Sequence, residues 1–278
     1  MKQLFTRNFT LLLLGQASSL LGNYTLRFAL SMFVLEETGS AATFAGILAV
    51  SMVPTILLSP LGGVLADRAN RRNIMVALDT LSGLAVLGAM ALFPPGDKVF
   101  LTGALLVILS VLGAFESPTV QACVPQMVEE SQLLRGNALV NQVSSLASLV
   151  TPFLGSLLYT AVGLSPIFLG TAVCFFLTAA LECFLRLGEQ PARPKESLGA
   201  ILKGDLAQGA RFLLREEPGI VKLLLLAALA SFFAAGTAVV GFPYLVRTVL
   251  GLSAELYGAA ESALGVAAIL GGVCVAAL

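Results

Sequence analysis

The sequence contains no histidine and no tryptophan, and only 12% of its 278 residues are charged. Its cysteines form no C-x-x-C pair, so neither a zinc site nor a disulfide framework has a basis. The formal net charge is zero and no segment is rich in Lys and Arg, which gives no support to nucleic-acid binding. No phosphate-binding loop is present, and we expect no cofactor and no ATP hydrolysis. The four cysteines are Cys123, Cys174, Cys183 and Cys274.

Apolar residues, in contrast, make up 57% of the chain. Ordinary soluble domains have about 25% charged residues, and a soluble fold of this length could not bury so much apolar surface. A membrane protein need not bury it, because hydrocarbon is its solvent. Eight stretches contain the roughly 20 mainly apolar residues that a spanning helix needs. They are approximately 9–35, 43–65, 73–93, 99–122, 137–160, 165–187, 219–245 and 255–278.

The basic residues predict the orientation of these spans. Of the 16 Lys and Arg residues, all but Lys98, Arg247 and Arg27 fall on one side if the spans alternate in direction. The positive-inside rule then places the N-terminus and the longest connection in the cytoplasm. The predicted fold is an all-α, polytopic membrane protein.

The spans group into three parts. Residues 1–187 form an N-terminal six-helix half, and residues 188–218 a cytoplasmic linker with an amphipathic surface helix over 198–214. Residues 219–278 contain two further spans, as at the start of the second half of a two-half transporter. The chain ends on an apolar run without a polar tail, and we expect a product truncated after its eighth helix.

A short charged loop separates the second and third spans: G-V-L-A-D-R-A-N-R-R-N-I-M, from Gly63 to Met75. The arginines alone could serve only to keep this loop in the cytoplasm. That interpretation leaves Asp67 and the glycines before it unexplained, although an acid can cap a helix or pair with basic neighbours. Small residues such as Gly62 and Gly63 let helices approach closely. Asn70 tolerates left-handed backbone angles and could therefore form the tight turn.

This loop resembles the G-x-L-a-D-r-x-G-r-k motif of the major facilitator superfamily, with asparagine in place of the second glycine. The resemblance implies the major facilitator fold, with a complete N-terminal half, and a gating role for the loop as a latch between the two halves. The residues to which it assigns this role are Gly63, Asp67, Arg68, Arg71 and Arg72.

Other segments resemble the macrolide- and drug-efflux-like branch of that superfamily. They are Leu14–Gly22, Glu37–Ser40, Ala114–Ala122, Val124–Val128 and Gly136–Asn141. Exporters often have G-x8-G-P-x-x-G in the fifth helix, and only Pro152 and Gly155 remain of it here. The fourth-helix arginine of many proton-coupled members is also missing, since residues 100–122 contain no basic side chain.

Five charged residues fall within predicted spans, where charges are costly and tend to face a cavity or a partner. Arg27 either snorkels towards Glu36 or Glu37 or faces a cavity near Asn23. Asp79 and Glu116 either pair with loop arginines or carry protons. Glu182 is expected to pair with Arg186 at i,i+4 spacing, and Glu261 to reach the surface.

The resemblance implies a plasma-membrane transporter rather than an enzyme. The expected function is proton-coupled efflux of small amphipathic compounds, with the substrate, protons and the lipid bilayer as partners and no obligate protein partner. Two alternatives stay open. One is an importer or facilitator of an unidentified metabolite, because a fold fixes neither direction nor substrate. The other is a truncated, non-transporting membrane polypeptide.

Overall fold

Eight long helices dominate the computed structural model, which describes residues 4–93, 96–188, 204, 211–216 and 218–277. No strand occurs among these residues. The long helices are α1 (Arg7–Thr38), α2 (Ala41–Arg68), α3 (Arg71–Leu92), α4 (Lys98–Met127), α5 (Leu133–Val162), α6 (Leu164–Cys183), α7 (Pro218–Gly236) and α8 (Ala254–Ala277).

Short irregular helices accompany them. A 3-10 turn (Glu130–Gln132) precedes α5, and a π-helical segment (Phe212–Glu216) precedes α7. Beyond α7 the chain stays helical through two π-helical segments that flank a single α turn. These segments are Thr237–Gly241, Phe242–Tyr244 and Leu245–Val249.

Polar side chains begin four of the helices, as the unpaired backbone N–H groups of a first helical turn require. Thr6, Ser40, Asn70 and Asp97 each accept a hydrogen bond from a backbone N–H one turn ahead, at 3.0 to 3.3 Å. Gly39 ends α1 with φ of 59°, a left-handed conformation that glycine adopts without strain. These caps make the connections between the first four helices short, so consecutive helices run in opposite directions.

The first six helices form one bundle. α2 packs on α4, α3 on α6, and α1 is central, in contact with both α5 and α6. One apolar cluster fills the middle of the bundle around Leu30, Leu106 and Phe175. A second lies at the end that carries the α2–α3 loop, which we name the loop end, and it includes Phe9 and Met75. We name the opposite end of the bundle, where α1 finishes and α4 begins, the far end.

α8 joins this bundle by packing on α5. A Cβ atom at Gly258 would lie 2.4 Å from the carbonyl oxygen of Pro152 and 2.3 Å from Oγ of Ser156. Only glycine permits so close an approach of two helices.

Among the described residues, six helical segments are long and apolar enough to cross a membrane, judged by length and composition. Large apolar side chains remain exposed along them, as on Ile56 at 72% and Phe232 at 74%. α1 and α8 are not among the six, although the structure is helical at all eight predicted spans. The six are Ala41–Arg68, Arg71–Leu92, Lys98–Met127, Glu130–Val162, Leu164–Cys183 and Gly219–Val249.

Two predicted boundaries are wrong. The polar connection expected over 123–136 is mostly helical, because α4 continues to Met127 and buries Cys123 against Met75. α6 ends at Cys183 instead of residue 187. The predicted linker and its surface helix over 198–214 lie largely outside the described residues.

Candidate cavity site and buried charges

Arg71 organises the charged loop at the loop end. Its side chain donates hydrogen bonds to the carbonyl oxygens of Ala66 at 2.8 Å and Ala122 at 2.8 Å, and it forms an ion pair with Asp67 at 3.4 Å. The guanidinium group therefore ties the end of α2 to α4. Arg68 is the last residue of α2, and Arg72 lies in the first turn of α3.

The two glycines before the loop differ in their surroundings. A Cβ atom at Gly62 would lie 2.4 Å from the Ala114 carbonyl oxygen, so this glycine permits the contact between α2 and α4. A Cβ atom at Gly63 would meet nothing within 4 Å. The left-handed turn expected at Asn70 is wrong: its φ of −63° and ψ of 107° are extended, and its side chain caps α3 instead.

Arg27 is half-buried and forms hydrogen bonds within the N-terminal bundle. Its Nε donates to Oδ1 of Asn23 at 2.8 Å, and its Nη2 donates to Oγ of Ser110 on α4 at 3.0 Å. Neither Glu36 nor Glu37 accepts a hydrogen bond from it within the part of the chain that the structure describes. Arg27 also lines a cavity in this structure.

A cavity of about 270 Å³ lies beside Arg27, between the N-terminal bundle and the segments that follow it. Glu261 on α8 is half-buried and lines this cavity. Its Oε2 is buried and meets no hydrogen-bond donor among the described residues. The rings of Phe28 and Tyr257 stack beside it with centroids 5.8 Å apart. The lining consists of Tyr24, Arg27, Phe28, Ser31, Met32, Phe44, Leu48, Ser148, Thr151, Pro152, Val239, Tyr257 and Glu261.

Pro152 and Gly155, which remain of the fifth-helix motif, pack against α8 and α1 on the two sides of this cavity. A Cβ atom at Gly155 would lie 3.0 Å from the ring of Phe28 on α1. The carbonyl of Pro152 faces Gly258 on α8. α5 therefore holds α1 and α8 close together at the level of the cavity.

Three carboxyl groups are buried within the N-terminal bundle. Asp79 on α3 accepts a hydrogen bond from Ser19 at 3.2 Å, and Glu116 on α4 accepts one from Gln16 at 3.5 Å. Arg71 pairs with neither acid, because its guanidinium group is engaged by Asp67 and by two backbone carbonyl groups.

The third buried carboxyl belongs to Glu182. Its predicted ion pair with Arg186 is wrong, because α6 ends at Cys183 and the i,i+4 geometry is lost. The backbone of Arg186 instead exchanges two hydrogen bonds with the side chain of Asn8. Glu182 is 1% exposed, and its carboxyl lies within hydrogen-bonding reach of Asp79.

An ion pair joins the two parts of the molecule at the far end. Arg247, which follows α7, donates to Glu36 near the end of α1, and the hydroxyl of Tyr159 donates to the same carboxylate at 2.6 Å. Arg247 also donates to the Leu252 carbonyl at 2.7 Å. The sequence contains no local sign of this contact, because its members lie on three separate helical segments.

Comparison with known proteins agrees with this architecture. The Major Facilitator Superfamily model matches residues 12–278. Macrolide efflux protein A of Streptococcus pyogenes is 30% identical over 224 residues, which cover 78% of this chain and 54% of that protein. The multidrug efflux pump Tap of Mycobacterium tuberculosis (strain ATCC 25618 / H37Rv) is 28% identical over 193 residues, which cover 66% of this chain and 45% of the pump. The chain thus spans about half the length of these curated relatives.

Solved structures show the same fold. The crystal structure of D-xylose-proton symporter has a TM-score of 0.67 at 14% identity, covering 93% of this chain and 65% of the symporter. The POT family transporter PepTSo has a TM-score of 0.55 at 20% identity, covering 94% of this chain and 54% of that transporter. With its apolar helices and its match to the family over almost all of its length, the chain is a multi-pass membrane protein that belongs to the Major Facilitator Superfamily of transporters.

Proposed function

We propose that this protein exports small amphipathic compounds of the macrolide or drug type across the plasma membrane and that proton entry drives the export. The observation that supports this function most is the cavity beside Arg27. Ligand sites are typically concave and apolar with a few well-placed polar groups. Here aromatic and aliphatic walls accompany one guanidinium and one carboxyl group.

The chemistry of the walls favours an amphipathic ligand. Phe28, Met32, Phe44 and Leu48 offer apolar contact to the body of a compound, while Arg27 and Glu261 offer one charge of each sign. The hydroxyl groups of the remaining wall residues can serve the polar part of the same compound. The names of the relatives, macrolide efflux protein A and multidrug efflux pump Tap, support the same class of compound.

The charged loop would serve as a cytoplasmic gate. The count of basic residues supports a cytoplasmic N-terminus, and the loop then faces the cytoplasm as well. Arg71 holds α2 and α4 together there through Ala66 and Ala122. In our proposal Gly63, Asp67, Arg68, Arg71 and Arg72 form the part of the latch that belongs to this half.

Proton coupling requires groups that take up and release a proton within the membrane. Asp79 and Glu116 are the carriers that we propose, because both are carboxyl groups embedded in the bundle next to α1, which also carries Arg27. α1 thereby contacts both the acids and the cavity. A movement of α1 on protonation of the acids would therefore also change the cavity.

The export function is tested by the accumulation of a radiolabelled macrolide in cells with and without the gene that encodes this chain. We expect lower accumulation with the wild-type gene and loss of that difference in Arg27→Ala. Arg135→Ala is the matched control, because Arg135 is exposed at the start of α5. Equal accumulation with and without the wild-type gene, across several amphipathic compounds, would refute the proposed function.

A further inference from the structure

Asp79 and Glu182 form a contact between two carboxyl groups in the interior of the bundle. Asp79 lies on α3 and Glu182 on α6, two helices that pack along each other. The side chains are 0% and 1% exposed and lie within hydrogen-bonding reach of each other. Neither residue lines the cavity beside Arg27.

Few donors serve these two carboxyl groups. Ser19 donates to Oδ1 of Asp79, whereas Oδ2 of Asp79 and both oxygens of Glu182 meet no donor among the described residues. The loop arginine Arg71 is engaged by Asp67 and by two backbone carbonyls.

The remaining surroundings of the pair contain no compensating positive charge within the described part of the chain. The helix α1 contributes the uncharged side chains of Gln16 and Ser19. The titratable groups nearest the pair are Glu116 and Cys123 on α4, and the exposed Cys183 follows Glu182 on α6. Burial of several ionised carboxylates without a partner would be very costly.

A single bound proton removes the repulsion between the two buried carboxylates. Two carboxylates in one site cannot both remain ionised, and one bound proton turns their contact into an O–H···O⁻ hydrogen bond. We propose that Asp79 and Glu182 together form a one-proton site, separate from the substrate cavity, that binds the coupling proton. The inference deepens the function proposed above and adds Glu182 as the partner of Asp79.

The position of α1 would connect this site to the cavity. Ser19 contacts Asp79, and two turns further along the same helix Arg27 faces the cavity and reaches Ser110 on α4. Loss of the proton would leave adjacent negative charges that repel each other. α3 and α6 would separate or the carboxyl groups would turn towards water, and α1 would move with them.

The test is infrared spectroscopy of the purified protein in lipid nanodiscs. At neutral pH we expect a carbonyl-stretch band of a protonated carboxyl group that shifts in D₂O. Because the proton is shared, both Asp79→Asn and Glu182→Gln should shift or remove this band. Glu37→Gln, at an exposed carboxyl group near the end of α1, should leave it in place. Circular dichroism establishes that each variant retains its helices, and the single amide substitutions preserve side-chain volume.

Three outcomes would overturn the inference. They are the absence of any such band in the wild-type protein, a band that responds to only one of the two substitutions, and a band that neither substitution changes. This result is independent of the export assay. If the band behaves as expected while no compound is exported, the proposed function fails alone. If export occurs without the band, the one-proton site fails alone.

Discussion

Glu36 accepts hydrogen bonds from both Arg247 and Tyr159, and so links α1, α5 and the segment after α7 at the far end. The ion pair crosses from the N-terminal bundle to the segments that follow it. Beside it lies a second cavity of about 540 Å³, lined in part by Phe33, Lys98 and Ser253. In the conformation that the structure describes, this contact connects the N-terminal bundle to the segment after α7.

Breaking that contact should open the far end. In Glu36→Gln, we expect faster labelling of a cysteine introduced at Ser31, in the cavity wall, by a membrane-impermeant maleimide. The native cysteines are replaced by serine. The increase should be at most about fivefold, because a partly exposed ion pair is worth about 1 kcal/mol or less.

A double variant that exchanges the two charges provides the control for this experiment. Glu36→Arg combined with Arg247→Glu should return labelling towards the wild-type rate, since the pair is re-formed with reversed polarity. Unchanged labelling in Glu36→Gln would show that the contact does not hold the far end closed.

The adjacent glycines at the end of α2 give a matched pair of stability variants. Gly62→Ala should lower the free energy of unfolding by about 1–3 kcal/mol, because its methyl group overlaps the Ala114 carbonyl and the helices must move apart. Gly63→Ala meets open space and should be neutral or slightly stabilising, since alanine is the better helix former. Thermal unfolding in detergent, followed by helical content, measures both. Equal unfolding temperatures for the two variants would contradict the close contact of α2 with α4.

The orientation of the protein is open to a direct labelling test. Asn73 lies exposed in the first turn of α3 at the loop end, and Lys98 lies exposed at the far end. With single cysteines at these positions, an impermeant maleimide on intact cells should label Lys98→Cys and not Asn73→Cys. Permeabilised cells should show both. Labelling of Asn73→Cys in intact cells would show that the topology is opposite to the proposed one and that the loop is not cytoplasmic.

Hydropathy was sufficient to predict the helices. Each of the eight apolar stretches is helical in the structure, because a run of about 20 apolar residues has few other stable states in hydrocarbon. Boundaries were less predictable where apolar and polar residues mix. Cys123 continues α4 because its side chain packs against Met75, a contact between helices that composition does not reveal.

The capping role of Asn70 could have been predicted from the sequence. Asn70 precedes a helical run and is among the favoured N-cap residues, so capping of α3 could have been predicted from local preference alone. Its tolerance of left-handed angles was the weaker indication, because no glycine-like conformation is needed once the side chain caps the helix.

The surroundings of the buried charges were not predictable in this way. Glu182 had a plausible partner four residues on, but α6 ends one residue after it, and Asp79 is about 100 positions away in the chain. Glu261 faces the cavity because Gly258 lets α8 approach α5. Both results depend on how helices pack, and no local pattern encodes that packing.

The proton-driven export that we propose is tested most directly by uptake of a radiolabelled macrolide into inverted membrane vesicles with an imposed pH gradient. Wild-type vesicles should accumulate the compound when the lumen is acidic, and a protonophore should abolish accumulation. Asp79→Asn should insert normally into the membrane and lose the gradient-driven component. Gradient-driven uptake of normal rate in Asp79→Asn, or wild-type uptake that ignores the protonophore, would contradict proton-coupled export through this protein.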